Sequence, residues 1–145
     1  MNDSVFAKGN LKIVVLDENK QQKDVREIPN LVVTVGKNHI ASRLAANTAV
    51  IMSHMAVGSS NTSASASQTT LGSELARVAL DSTSVANATA TYTATYPAGT
   101  GTGTITEAGI FNASSSGTML CRTNFNEVNK AAGDTIVITW NVTVQ

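Results

Sequence analysis

Residues 135–144 read TIVITWNVTV, and every second one is large and apolar: Ile136, Ile138, Trp140, Val142 and Val144 fall on one side, Val137, Thr139, Asn141 and Thr143 on the other. A repeat of two is the signature of a β-strand with one buried face. The run therefore demands a sheet and a second layer to cover its apolar side. Residues 88–96, ATATYTATY, repeat the pattern, with Tyr92, Ala94 and Tyr96 opposed to Thr91, Thr93 and Thr95.

The rest of the chain is read around these two strands. LKIVVL (11–16) is a compact β-branched run, and DENKQQKD (17–24) a charged turn after it. A second strand is expected from about Val25. Pro29 marks an edge strand or a bend there, because proline cannot donate to a ladder, and residues 31–35 resume the sheet. Ile40 with Leu44, and Ala41 with Ala45, recur at helical spacing and predict a helix over 37–46. Residues 50–60 read as a strand running into a loop, and NTSASASQTT (61–70), small and polar, as a flexible surface loop. Leu71, Leu75 and Val78 behind a threonine cap predict one short turn of helix, weakened by Gly72. TITEAGIFN and GTMLCRTNF flank the turn ASSSG as a hairpin. Many short strands and one or two short helices predict a mainly β chain: an antiparallel β-sandwich or jelly-roll-like barrel. Residues 1–145 form one domain in this reading, with 1–12 as an N-terminal arm.

Ten basic and ten acidic residues cancel, so no broad field draws the protein to nucleic acid or to an anionic membrane. Only 14% of residues are charged, against about 25% in typical soluble domains. A surface so poor in charge suits burial against other protein copies. The single cysteine forms no disulfide within the chain. The first residues lack the pattern of a signal peptide, and no apolar run nears the roughly 20 residues of a membrane span, so synthesis in a cytoplasm is expected.

The most chemical-looking stretch is ITEAGIFNASSSGTMLCRTNF (105–125). About a turn centred on Ser115, simple register sets Glu107 opposite Thr123 and Ala108 opposite Arg122, and a one-residue bulge at Gly109 would set Glu107 opposite Arg122. Glu107 shares its nominal face with Ile105 and Phe111. A buried carboxylate there needs Arg122 or Arg77 as partner, a structural ion pair, because acid–base work wants a second titratable group beside it. Cys121 reads as a buried inert thiol. His39 and His54 match no compact metal motif. GTGTG (99–103) lacks the G-x-G-x-x-G spacing and no helix follows it. No catalytic, cofactor or metal site is nominated.

Three stretches together, VGSSNTSASASQTTLGSELARV (57–78), ITEAGIFNASSSGTMLCRTNF (105–125) and NKAAGDTIVITWNVTV (129–144), resemble a loose family of small structural proteins of tailed bacteriophages. The resemblance implies assembly rather than catalysis, in a virion whose parts are made in the bacterial host cytoplasm. It also implies architectural roles for Glu74 and Arg77 as a helix-turn charge pair, Glu107 and Gly109 at the start of the hairpin, and Gly133 and Asp134 in the turn before the last strand. The first expectation that follows from the resemblance is a capsid cement or decoration protein bound to the major capsid protein as a homo-oligomer, a trimer or dimer. It would dock through the arm and through loop tips at 59–70 (Ser59, Asn61, Gln68) and 97–103 (Gly99, Gly101, Gly103). The second is a tail, neck or fibre accessory, with Tyr92 and Tyr96 in a receptor- or glycan-binding tip; a small hydrolase is third.

Overall fold

The protein is represented by a computed structural model in which residues 6–46 and 48–145 are described. In chain order its elements are β1 (Ala7–Leu16), β2 (Gln22–Val32), α1 (Thr34–Ala45), β3 (His54–Gly58), β4 (Glu74–Ala79), β5 (Ser82–Ala86), β6 (Thr89–Tyr96), β7 (Gly103–Phe111), β8 (Met119–Lys130) and β9 (Thr135–Val144). The strands form one 9-stranded sheet in the order β4-β3-β7-β8-β2-β1-β9-β6-β5. Every pairing is antiparallel.

The sheet turns back on itself at β2. Through Asn30 this strand pairs with β1, and its last residues, Leu31 and Val32, pair with β8. Pro29 sits just before the change of partner, so it marks a bend in a central strand and not an edge. The two halves then face each other as a sandwich. Ile13, Ile138, Trp140 and Tyr96 from one half meet Met55, Ile110, Leu120 and Val128 from the other in a single cluster, as the alternating sequences require. Tyr96 is fully buried in it, which removes it from any receptor-binding tip.

Three expected elements change. The helix begins at Thr34 behind an extended Val33 with no side-chain cap, and ends at Ala45. Its single buried residue is Gly36, where any Cβ would collide with the Leu120 carbonyl. The second helical turn is absent: residues 74–79 are strand β4, paired with β3. Leu71, Leu75 and Val78 keep helical spacing without sharing a helical face, since Leu71 is buried beside Phe111 and Met119 while Leu75 is exposed. Of the proposed arm, residues 7–12 are held in β1, all paired with β9 and, from Gly9 on, with β2 as well; residues 1–5 lie outside those described.

Candidate functional site

The hairpin carboxylate lies at the centre of a closed network. Glu107 and Arg122 are both fully buried, and Arg122 donates to Glu107 Oε2 from Nη2 at 2.7 Å and from Nε at 3.2 Å. The same carboxylate accepts the backbone N–H groups of Ser60 at 3.1 Å, Gly72 at 2.9 Å and Ser73 at 2.8 Å. Burial alone would raise the Glu107 pKa, but the hydrogen bonds from Gly72, Ser73, Arg122 and Ser60 outweigh it and hold the carboxyl below its ordinary value. Arg122 in turn donates to the carbonyl of Thr62 and to Gln68 Oε1. Thr106 and Asn124 reach the same segment, through Ser60 O and the Ala64 N–H. Residues 59–73 are therefore pinned across β7 by buried charge, where a flexible loop was expected. Ser59 and Gln68 are half-buried in this segment and Asn61 is exposed.

The hairpin register explains the meeting. Glu107 stands opposite Asn124 and Gly109 opposite Arg122, with slips between Ile105 and Glu107 and between Ile110 and Phe111. The expected bulge at Gly109 is not where the irregularity falls. Arg122 is a diagonal neighbour of Glu107, a separation that long side chains span. Nor does Ile105 share a side with Glu107 as supposed: it joins the main core, while Phe111 belongs to a second cluster with Leu71 and Met119.

Glu74 and Arg77 also pair, at 2.7 Å, on a strand and not on a helical turn. Gly58 faces Glu74 while Val57 faces Ala76, leaving Leu75 as an extra residue. Such a bulge lets residues three apart emerge on one side. The Arg77 guanidinium lies 3.7 Å from the Phe111 ring centroid and donates to the carbonyls of Ala113 and Ser116, tying down the tip of the β7–β8 hairpin.

The loop at 97–103 is braced against the turn before β9. The Gly99 N–H donates to Ala132 O, and the buried Lys130 donates to the carbonyls of Pro97 and Asp134. Asp134 receives Lys23 at 2.7 Å and the Ala131 N–H. Gly99 and Gly101 hold φ of +83° and +67°, the left-handed region that favours glycine. Gly103 is already the first residue of β7. Cys121 is buried, and burial pushes its thiol well up. Among the described residues no cluster of His, Cys, Asp and Glu is arranged to hold a metal, and no helix is long and apolar enough to cross a membrane.

The sequence reading missed a groove at the end of the sandwich next to α1. Val85 faces Ala90 and Ala90 faces Val142 in the ladder, the row that continues the core side of β6 and β9. Yet Val85 is 74% exposed, because the opposite layer stops short of it. Ile40 and Leu44 of α1 form the other wall of a hollow of about 410 Å³, with Tyr92 within it. An adjoining hollow of about 360 Å³ shares Ile40, Leu44 and Val144 and adds Phe6 and Lys37. Leu44 is 85% exposed, so the stripe that signals the helix is largely turned to this opening. Among the described residues, His39, Arg43 and Lys37 are the ionisable groups that line the two hollows. Burial, then the charge of Arg43, lowers the His39 pKa. Arg43 also donates to the carbonyl of Ala49.

Fold and surface together define an antiparallel β-sandwich whose polar loop is locked and whose apolar end is open. Residues 26–144 match the family described as phage tail-collar fibre protein, N-terminal, and the chain belongs to that family. No curated protein and no solved structure is significantly similar to it. The protein is thus a structural component of the tailed-phage virion on the tail-fibre side. The match gives no support to a capsid cement role or to the major capsid protein as partner.

Proposed function

We propose that this chain is a noncatalytic module that joins a tail fibre to the phage tail, acting as a homo-oligomer, a dimer or trimer, and assembled from chains made in the host cytoplasm. The observation that carries the reading is the family match over residues 26–144. The chemistry of the hairpin agrees with it. Glu107 is ionised and spent on holding backbone N–H groups and Arg122, and the Cys121 thiol is buried and kept protonated, so neither is poised as a base or nucleophile. Fold stability here is directed to presenting a rigid surface, and contacts with tail proteins are made by what that surface leaves uncovered.

The test is copy number in purified virions by quantitative mass spectrometry, with position fixed by imaging of gold-labelled protein. A few copies to a few tens per virion, located at the tail, is the expected result. Hundreds of copies tracking the capsid shell, or absence from the virion, would overturn the proposal.

A further inference from the structure

The large apolar side chains left in water gather at one end of the molecule. Of the eight exposed among the described residues, Phe6, Leu44, Ile51, Val85 and Val144 line the two adjoining hollows, and Val50 precedes Ile51 in the chain. Val25 and Leu75 are the other two. With exposures from 43% to 85%, the five lining residues present apolar surface on the order of 500 Å², near the top of the range for the largest patch of a monomer. A standard protein interface takes about 800 Å² from each partner, of which about 60% is apolar. This end therefore carries the apolar area that one side of such an interface needs.

The shape of the patch selects the occupant. Leu44, 85% exposed, borders both hollows, one of about 410 Å³ that Ile51, Val85 and Tyr92 also line and one of about 360 Å³ that Phe6, Ala41 and Val144 also line. Each is larger than the roughly 150 Å³ cavity that holds a benzene ring, so either admits a leucine side chain. A knob and a hollow that can receive it thus lie side by side on one face. A two-fold axis uses such a pair twice: each copy inserts its Leu44 where the other is hollow, and one patch serves as both halves of the contact. Lys37 and Arg43 on the same face are exposed, and their long stems let the charged heads stay in water. Repulsion between such heads is screened by salt, while apolar burial is not.

We propose that the groove next to α1 is the face through which two copies of this chain pair about a two-fold axis, Leu44 of each entering the hollow that Ile51, Val85 and Tyr92 of the other line. A contact of standard size falls short of the roughly 2,000 Å² and more that obligate dimers bury in total. The pairing is therefore concentration-dependent: a single copy in dilute solution keeps this end open, and copies held close together in a virion associate. This deepens the homo-oligomeric part of the reading above and rests on it only for the role of the pair in the virion.

Sedimentation equilibrium of the purified full chain tests the face. The chain is expected to be monomeric near about 1 μM and dimeric near about 1 mM. Amide exchange at 37–45, 50–52 and 82–90 should slow as the concentration rises. Leu44→Gln with Val85→Thr, each change occurring twice in a two-fold contact, should weaken the dimer at least about tenfold. The urea midpoint of that variant at about 1 μM, where the chain is a single copy, should stay that of the parent. Val25→Thr alters an exposed residue that lines neither hollow, and should leave association as it was. Sodium chloride at about 0.5 M should leave the dimer as strong or stronger. A chain that stays monomeric to about 1 mM, a trimer, a dimer indifferent to the double variant, slowed exchange elsewhere, or association lost in salt would overturn the proposal. Because no virion enters the experiment, a monomer here leaves the location test standing, and a capsid location leaves the dimer standing.

Discussion

The segment over β7 and the groove beside β5 lie on one sandwich, yet their groups are satisfied in opposite ways. Over β7 the small residues of 59–73 let the backbone come close enough for Ser60, Gly72 and Ser73 to donate to a buried carboxylate. Beside β5 the opposite layer ends early, so Val85 and Leu44 stay in water. An apolar lining does not by itself close a region. A single buried charge that needs N–H partners does, because leaving it unpaired is far costlier than leaving two aliphatic side chains exposed.

If that account holds, the largest effect comes from removing the charge. Glu107→Gln keeps the shape but leaves Arg122 buried without its counter-ion, and the expected loss is about 3–5 kcal/mol in urea unfolding. Amide exchange should accelerate first at 60–73. A loss below about 1 kcal/mol would mean that the segment is held by its packing, and the contrast with the groove would collapse.

The same carboxyl sets a pH dependence. Its folded pKa lies below its ordinary value, so the stability it supplies is complete above about pH 4.5 and is lost as pH falls through the lower folded value. Asp134 acts in the same direction, held low first by the hydrogen bond from Lys23 and then by the Ala131 N–H. Glu107→Gln should therefore flatten part of the acid limb of a stability curve, and the Asp134 part should persist. An unchanged acid limb in the variant would show that Glu107 does not titrate with folding.

Arg77 tests whether the locking extends to the hairpin tip. Arg77→Ala removes the stack on Phe111 and the donors to Ala113 and Ser116, with an expected cost of about 2 kcal/mol. Faster exchange should be confined to 112–118. Equal acceleration at 60–73 would join the two networks into one cooperative unit.

What was legible in the sequence divides along the same line. β6, β9 and the β7–β8 hairpin announce themselves because period-two burial is written in consecutive residues. The partner of Glu107 could be narrowed to two arginines, since a buried carboxylate must find a cation, but the register could not, because slips near Thr106 and Leu120 leave no mark in residue type. The N–H groups of Gly72 and Ser73 are spent on a carboxylate more than thirty positions along the chain, so 61–70 looked free and 70–78 looked helical. β5 passed unread because serine and threonine carry no apolar alternation. The groove is a place where a layer ends, and a sequence pattern reports what an element wants to bury without saying whether anything arrives to bury it.

The smallest expected effect bears hardest on that last point. Leu44→Gln with Val85→Thr removes apolar surface from two positions that are 85% and 74% exposed, so the folded chain loses little that the unfolded chain did not already lack. The pair should change stability by no more than about 0.5 kcal/mol, while lowering binding of an apolar dye such as ANS. Ile51 and Val144 remain in the variant, so the dye signal should fall and not vanish. A cost of about 2 kcal/mol or more would mean that these side chains are packed in solution, against α1 or against another copy. The open end would then be as closed as the loop over β7, and the distinction between the two regions would rest on charge alone.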